Sequence, residues 1–356
     1  MSRLRVTLRL NVSQSTIDAC CSGRHNPGRM EINGVEIEDT FAEAFPMVAA
    51  RAIITAETSR WVEIAAREVT GYATSVIACD AEAGIERLLS PADTPDGRPG
   101  ASVLFFGFGR EKLEKAVANR IGQCVMTCAT TACYNGLPGT EKTIKVGGSL
   151  RFFGDGFQTS KMLEERVQGS GFRVQAKEAS GQQSAIRKQQ SAILRRRFWR
   201  VPVMDGEFLC EDLFGTVKGV AGGNFLILAD SLAAALQAAE QAVEAIGKNC
   251  RDVILPFPGG VVRSGSKVGS KYKKLRASTN DAYCPTVRGI TRSSLPGGVN
   301  AVYEIVIDGL SAAAVVEATR VGVRAACVSG VRRISAGNYG GNLGPHHFQL
   351  HEVLAC

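Results

Sequence analysis

One carboxylate in this 356-residue chain stands out as a candidate for catalysis. Glu304 lies in the apolar stretch AVYEIVI, residues 301–307, and strand alternation places it on one face with Val302 and Val306. A carboxyl group on an apolar face loses hydration, so its pKa rises and it can stay protonated. Such an acid can donate a hydrogen bond to the oxyanion of a tetrahedral intermediate, which suits acyl transfer. The alternative, a strand-edge glutamate paired with an arginine, stays open from the residues alone.

Other catalytic groups are scarce or badly placed. The only histidines stand at the two ends of the chain, at His25, His346, His347 and His351. A Ser-His or Cys-His nucleophile pair is therefore not expected, and metal binding by the last three is disfavoured. The 11 cysteines include no C-x-x-C pair, so we expect buried reduced thiols and no metal site. The stretch from Gly260 resembles a phosphate-binding loop, but Ser266 stands where that motif needs its lysine.

A long polar loop over residues 259–300 supplies many hydrogen-bond donors. They are Ser264, Ser266, Lys267, Lys271, Tyr272, Asn280 and Tyr283. A connection of this length inside a compact protein is usually functional or disordered. A binding loop and a merely solvated basic loop are both compatible with this composition.

The charge balance is basic, with 42 Lys and Arg against 34 Asp and Glu and a net charge of +8. Much of the surplus lies in residues 187–200 and 263–276. Such a surface favours nucleic acid, anionic lipid or anionic small substrates, and charge alone does not choose among them. No apolar run is long enough for a membrane-spanning helix, so we expect a cytoplasmic protein without a membrane association.

A strand–helix–strand pattern recurs four times along the chain. The predicted units cover residues 49–56, 58–70 and 72–78; 101–108, 111–121 and 123–127; 224–228, 231–246 and 253–255; and 301–307, 312–326 and 331–335. Two successive units make a β-α-β-β-α-β arrangement, so the predicted fold class is α+β with two related, duplicated ferredoxin-like lobes. The predicted division is an N-terminal (proximal) lobe at 30–206 and a C-terminal (distal) lobe at 207–356.

Two segments fall outside this pattern. Residues 1–29 precede Met30, which could itself be a start codon, and are expected to be a disordered extension. Residues 161–196 are polar, basic and repetitive, because QQSAI at 182–186 recurs at 189–193. Such composition buries too little apolar surface to order itself, so we predict an exposed insertion, with an RNA-binding arm as the alternative. A segment 346–353 that alternates like a strand follows the last unit.

Motifs in both halves resemble those of the formylmethanofuran–tetrahydromethanopterin formyltransferase family. They are EINGVEIEDTFAEAFP at 31–46, AEAGIER at 81–87, TPDGRPG at 94–100, IGQCV at 121–125, FFGDGF at 152–157, VAGGNF at 220–225, PFPGG at 256–260, SGSKVG at 264–269, VYEIV at 302–306 and ISAGNYGG at 334–341. The resemblance runs from Met30 almost to Cys356. The extension before Met30 and the 161–196 insertion depart from the family pattern, but no motif is broken.

The resemblance implies an acyltransferase that moves a formyl group reversibly between methanofuran and N5 of tetrahydromethanopterin, in a ternary complex without a prosthetic group. It places Glu304 at the formyl centre as the catalytic residue. The expected substrate contacts are Asn224, Ser264, Ser266, Lys267, Tyr303, Asn338 and Tyr339.

The resemblance also implies partners. A homotetramer is expected, with methanofuran in a cleft between subunits. The basic charge is more like that of the bacterial counterpart, a subunit of a formyltransferase/hydrolase complex in formaldehyde oxidation. The alternative function is mainly that of a scaffold subunit that docks a formylmethanofuran hydrolase, and nucleic-acid binding is a distant third.

Overall fold

The computed structural model describes residues 30–167, 192–265 and 267–355. The expectations for residues 1–29, for the centre of the insertion and for Ser266 lie outside these residues. We call residues 30–206 the first half and residues 207–355 the second half.

The first half contributes ten strands, of which the last begins at its boundary. They are β1 (Met30–Ile32), β2 (Val35–Ile37), β3 (Phe41–Thr55), β4 (Glu82–Leu89), β5 (Gly100–Gly107), β6 (Ala132–Asn135), β7 (Lys142–Lys145), β8 (Thr159–Val167), β9 (Ala192–Val203) and β10 (Gly206–Glu211). Its helices are α1 (Ser59–Thr70), α2 (Arg110–Arg120) and α3 (Gly147–Leu150).

The second half continues the same sheet. Its strands are β11 (Leu213–Ala229), β12 (Val253–Ile254), β13 (Lys267–Val268), β14 (Ala277–Ser278), β15 (Ala301–Gly309), β16 (Val331–Ser335) and β17 (His346–Gln349), and its helices are α4 (Leu232–Asn249), α5 (Ala312–Ala326) and α6 (Leu350–Ala355). Fifteen strands form one sheet, and β13 and β14 form a separate hairpin. Among the described residues, every helix is too short or too polar to span a bilayer.

The strands of the two halves follow the same spatial order. In the first half, β6 pairs with β3, β3 with β5 and β5 with β4, all antiparallel. In the second half, β16 pairs with β11, β11 with β15 and β15 with β12, again antiparallel. The halves join where β3 lies antiparallel to β11, from Ala50 opposite Thr216 to Phe45 opposite Ala221. The molecule is therefore a mixed structure dominated by one long sheet.

Small residues let the helices of the second half lie close to the sheet. In α4, the buried residues Ala235, Ala238, Ala239, Ala242 and Ile246 follow the spacing of one helical face. Helices α4 and α5 both begin after a serine whose hydroxyl accepts a hydrogen bond from the backbone three residues later, Ser231 from Ala234 and Ser311 from Ala314. A Cβ on Gly322 would lie 2.8 Å from Cδ1 of Ile246 and 2.9 Å from the Phe225 ring, so a larger residue would force these side chains to shift.

The helix predictions are confirmed, and the predicted helix 312–326 and strand 331–335 match α5 and β16 at both ends. The strand predicted over 72–78 is wrong, since the strand of this unit is β4. Buried Arg120 donates hydrogen bonds to the carbonyl oxygens of Val69, Gly71 and Tyr72 and to the carboxylate of Asp80. Because the Arg120 side chain binds the carbonyl groups of Gly71 and Tyr72, this segment forms a loop and does not pair as a strand.

The strand predicted over 123–127 is also wrong. The segment Ile121–Val125 is a π-helical turn that continues α2, with Ile121 and Val125 buried among the first-half core residues. The hydroxyls of Thr127 and Thr131, which follow the turn, donate to the carbonyls of Gln123 and Val125 and so satisfy two of its polar groups. The actual strand, β6, begins at Ala132. The predicted strand 346–353 ends at Gln349 and gives way to α6.

Both described ends of the predicted insertion are ordered. Strands β8 and β9 pair antiparallel from Thr159 opposite Arg200 to Val167 opposite Ala192. Main-chain pairing does not depend on burial of apolar side chains, and the Arg195–Glu164 ion pair of 3.0 Å adds to it. The composition argument therefore fails for residues 161–167 and 192–196, and residues 168–191 lie outside the described part of the chain.

Candidate functional site

The strand that carries Glu304 is held on both sides by backbone pairing. Glu304 lies opposite Leu226 of β11, and Leu226 lies opposite Ser335 of β16. On its other side, the backbone of Glu304 exchanges hydrogen bonds with Val262, of 2.8 and 3.0 Å. The backbone of Glu304 is therefore held in place by a neighbouring segment on each side.

The face of the sheet that carries Glu304 points away from α4 and α5. Leu226, Leu228 and Val299 form a buried cluster on this face, and Tyr283, Leu295 and Val302 pack against it. Residues 261–300, which we call the covering loop, therefore lie over one end of the face. The Tyr283 and Ser335 hydroxyls are 3.5 Å apart.

The environment of Glu304 favours the protonated acid. Burial raises the pKa of its carboxyl group to about 7, and no other cause contributes. Within the described residues, the side chain of Glu304 makes no hydrogen bond or ion pair. The pairing with an arginine that the sequence left open is thus not found among the described residues. An acid in this state can donate a hydrogen bond to a developing oxyanion.

Glu43 organises a loop beside this face. Its carboxylate, 2% exposed, accepts hydrogen bonds from the backbone N–H groups of Tyr339, Gly341, Leu343 and Gly344. Burial raises the pKa of the Glu43 carboxyl, but these backbone donors outweigh burial and leave the pKa below its usual value. We call residues 336–344 the Glu43 loop. Sequence patterns contain no signal for this role, because the carboxylate and its donors are about three hundred residues apart.

Two of the expected contact residues hold the Glu43 loop in place. The Asn224 side chain accepts a hydrogen bond of 2.6 Å from Gly337 N–H and donates to the carbonyls of Gly222 and Gly337. The Asn338 side chain donates to Thr40 and to the carbonyl of Phe41. Their amide groups are thus engaged within the protein.

Tyr339 connects the Glu43 loop to the covering loop. Its hydroxyl accepts a hydrogen bond of 2.8 Å from Val268 N–H, and the side chain is 37% exposed. Lys267, which precedes Val268, forms an ion pair with Asp281. The carbonyl of Ser264 lies 3.4 Å from the Thr279 hydroxyl. The structure thus brings Ser264, Lys267 and Tyr339 together along two joined loops.

Tyr303 lies on the other face of β15. It is opposite Ile227 and packs against the core formed with α4 and α5. The structure therefore does not bring Tyr303 together with its neighbour Glu304. Ser335 and Tyr283, which do share the Glu304 face, were not among the expected site residues, although Tyr283 was recognised as a donor of the polar loop.

Within the described residues, no cluster of three or more His, Cys, Asp and Glu side chains could hold a metal ion. His347 and His351 instead contact backbone carbonyls, those of Gly344 at 3.1 Å and Ile37 at 2.9 Å. A cleft of about 520 Å³ lies elsewhere, between the end of α1, helix α4 and the Pro256–Gly260 turn.

Comparison with known proteins gives a consistent result. A family model described as formylmethanofuran-tetrahydromethanopterin formyltransferase matches residues 30–169, and one described as "FTR, proximal lobe" matches residues 206–353. The label "proximal" thus belongs to the second match, whereas we had expected it for the first half.

Three proteins illustrate the similarity. A formylmethanofuran–tetrahydromethanopterin formyltransferase of Methylococcus capsulatus is 53% identical over 92% of this chain and 100% of its own. The solved formyltransferase of Methanosarcina barkeri is 49% identical, with a TM-score of 0.78 over 91% of this chain and 100% of that chain. A chain of the formyltransferase/hydrolase complex of Methylorubrum extorquens, solved with methylofuran, is 47% identical, with a TM-score of 0.79 over 92% of this chain and 99% of that chain.

Proposed function

Because the chain belongs to the formylmethanofuran–tetrahydromethanopterin formyltransferase family, we propose that Glu304 is the acid that assists its formyl transfer. The enzyme is an acyltransferase that moves a formyl group between methanofuran and N5 of tetrahydromethanopterin, and both coenzymes are substrates. Relatives of about half identity over nearly the whole chain carry the transferase name, which favours the enzyme over the scaffold alternative.

The transfer is a direct attack of one amine on the formamide of the other coenzyme. N5 attacks the formamide carbon, a C–N bond forms, and the carbonyl electron pair moves to oxygen. When the carbonyl re-forms, the bond to the methanofuran nitrogen breaks, and the proton released from N5 ends on that nitrogen. Holding both coenzymes in contact supplies much of the rate enhancement.

The observation that carries this proposal is the half-buried carboxyl group of Glu304, which makes no hydrogen bond or ion pair within the described residues. Since its pKa is raised to about 7, a large fraction is protonated at neutral pH and can donate to the oxyanion. A donor that strengthens as charge develops lowers the barrier without tightening the substrate complex.

The substrate contacts form a second part of the proposal. Ser264, Lys267 and Tyr339 lie on the two joined loops and are proposed to contact the coenzymes. Ser266, which lies outside the described residues, is proposed as a contact on the resemblance alone. Asn224 and Asn338 are proposed to act through the Glu43 loop, because their amides already bind its backbone. For Tyr303 a contact would have to come from the helix-facing side of β15.

The test is an assay of the purified full chain with formylmethanofuran and tetrahydromethanopterin, with formyl-tetrahydromethanopterin detected by mass spectrometry. Controls omit either coenzyme or use Glu304→Ala. Product only with both coenzymes and intact Glu304 is expected. Absence of product from the folded protein would refute transfer by this chain, and full activity of Glu304→Ala would refute the assigned acid.

The architecture is proposed to have arisen by duplication of a ferredoxin-like unit. The support is the identical strand order of the two halves, in which the first and third strands are central and the second and fourth are outermost. Each half also places its two long helices between the first and second and between the third and fourth of these strands.

A homotetramer that joins a formyltransferase/hydrolase complex in the cytoplasm is the proposed assembly. Phe152, Phe153, Phe157 and Met204 are 66%, 66%, 80% and 107% exposed in the single chain. Such exposure of large apolar side chains is typical of interfaces. The eight cysteines of the described residues are all free thiols, as in a reducing compartment.

A further inference from the structure

Two buried carboxyl groups meet where the first half packs against the second. Glu82 of β4 is 5% exposed and Asp308 of β15 is fully buried. Glu82 lies opposite Phe106 and Asp308 lies opposite Ile254. Phe106 and Ile254 belong to one apolar cluster formed by residues of both halves. The two acids therefore face each other in a place that water does not reach.

Their hydrogen bonds leave one oxygen on each side without a donor. Oε1 of Glu82 accepts from Val76 N–H at 3.0 Å, and Oδ1 of Asp308 accepts from Gly222 N–H at 2.9 Å. The remaining oxygens, Oε2 of Glu82 and Oδ2 of Asp308, are buried and receive no hydrogen bond from the described residues, and each carboxyl group lies near enough to shift the pKa of the other. Two ionised carboxylates are both acceptors only, so a hydrogen bond between them requires a proton on one.

The surroundings keep that proton in place. Burial raises the pKa of Asp308 well above its usual value, and the charge of Glu82 raises it further. Burial also raises the pKa of Glu82, although its hydrogen bond with Asp308 counteracts part of this. Around the pair, the neighbouring loop, β5, β11 and β12 present Val76, Phe106, Gly222 and Ile254, and among the described residues no other charged side chain contributes.

The pair is linked to the catalytic strand by covalent and hydrogen bonds. Asp308 follows Glu304 by four residues on the same face of β15. Gly222, held by Asp308, stands in a bulge of β11 between Val220 and Gly223, with φ of +87°. The carbonyl of Gly222 accepts from Asn224, which in turn holds Gly337 of the Glu43 loop.

We propose that Glu82 and Asp308 share one proton and form a latch between the halves, which positions the strand of Glu304 and the Glu43 loop. The pair then carries a single negative charge. At alkaline pH it loses the shared proton, two anions face each other, and the latch weakens. Both residues are positioning residues, since neither touches the reacting atoms. The latch rests on the proposed function only in that Glu304, the residue whose strand it positions, is the proposed acid.

A double-mutant cycle tests the shared proton directly. In Asp308→Asn, the amide oxygen keeps the bond from Gly222 N–H and the NH₂ group donates to Glu82 without a titratable proton. Glu82→Gln achieves the same in the opposite direction. In the double variant, two NH₂ groups face each other and the bond is lost. Singles should therefore be tolerated and the double should not.

The measurement is the thermal unfolding of the full chain at pH 6 and at pH 9. At pH 6 we expect both single variants to unfold near the wild-type Tm and the double variant about 5 °C lower. For an acid with a raised pKa, stability is full below the unfolded pKa and is lost as pH rises through the folded pKa. From pH 6 to pH 9 the wild-type Tm should therefore fall more than that of either single variant.

The control is Glu244→Gln, the same chemical change on the exposed face of α4, which should leave the Tm unchanged. As a readout of positioning, the double variant should lose kcat more than it raises KM. Single variants as unstable as the double at pH 6, or a wild-type Tm that follows the singles to pH 9, would overturn the shared proton. Because unfolding needs no turnover, this result is independent of the proposed transferase reaction.

Discussion

Replacing Glu304 by glutamine keeps the size of the side chain and one hydrogen-bond donor but removes the acid. Loss of a single oxyanion-stabilising group typically costs roughly a hundred- to a thousandfold in turnover. The amide of Gln retains part of the interaction, so we expect a loss of about a hundredfold for Glu304→Gln and nearer a thousandfold for Glu304→Ala. Substrate affinity should change little, because the interaction strengthens mainly in the transition state.

The pH dependence follows from the raised pKa of Glu304. With a pKa of about 7, the carboxyl group is half protonated near neutrality. One unit above its pKa, roughly one-tenth of an acid remains protonated. Turnover of the wild-type enzyme should therefore fall with rising pH above about 7, by roughly tenfold per unit. The Glu304→Gln variant should lack this limb.

The raised pKa of Glu304 also predicts that Glu304→Gln, which lowers turnover, increases the stability of the fold at alkaline pH. A carboxyl group with a raised pKa stabilises the fold fully below its unfolded pKa, and this contribution is lost as pH rises through 7. At pH 8.5 the wild-type protein holds a half-buried charge without a partner among the described residues, and Glu304→Gln removes this charge. We therefore expect Glu304→Gln to unfold at a higher temperature than wild type at pH 8.5.

The assay is steady-state transfer between the two coenzymes from pH 5.5 to 9, with thermal unfolding measured in the same buffers. A turnover loss below about threefold in both Glu304→Gln and Glu304→Ala would refute the reasoning, since a donor to the oxyanion is worth far more. Glu304 would then be a structural residue, and the acid would have to be sought elsewhere.

Three further predictions concern the loops and the surface. Glu43→Gln should lower the free energy of unfolding at pH 7 by about 2 kcal/mol, because charged acceptors bind backbone donors more strongly. In urea unfolding this loss should shrink as pH falls through the lowered pKa of Glu43, and a pH-independent loss would contradict it. Tyr339→Phe removes the acceptor for Val268 N–H and should raise KM roughly fivefold with kcat nearly unchanged. An equal fall in kcat would show that Tyr339 acts in the transition state. Phe152→Ser together with Phe153→Ser should lower the oligomeric state in analytical ultracentrifugation while the monomer stays folded, whereas an unchanged mass would exclude these rings from the interface.

Local sequence patterns predicted the elements that form by local rules. The Ala-rich faces of α4 and α5 and the β-branched runs of β15 and β16 were visible without any tertiary contact. Alternation along β15 also predicted that Glu304 shares a face with Val302, and in the structure Val302 packs against the cluster on that face. These features depend only on residue spacing, so a single sequence contains them.

Elements that depend on distant contacts could not be predicted in this way. The segment around Tyr72 has the composition of a strand but forms a loop because Arg120, about fifty residues away, binds its carbonyls. Glu43 reads as an ordinary strand residue until the donors of the Glu43 loop are placed beside it. Strands β8 and β9 are held by main-chain pairing, which an argument from side-chain composition does not take into account.

Strands near each end of the described chain pair with strands of the other half. Strand β2, near the start, lies parallel to β16, with Glu36 bound to Arg333, and β17, near the end, pairs with β3. On the ribosome, Val35–Ile37 can pair with β1 early, but its other partner, β16, exists only after nearly the whole chain has been synthesised. Contacts of such sequence separation slow folding and leave sheet edges exposed to other nascent chains. We expect release from the ribosome, more than completion of the first half, to mark the onset of stable folding.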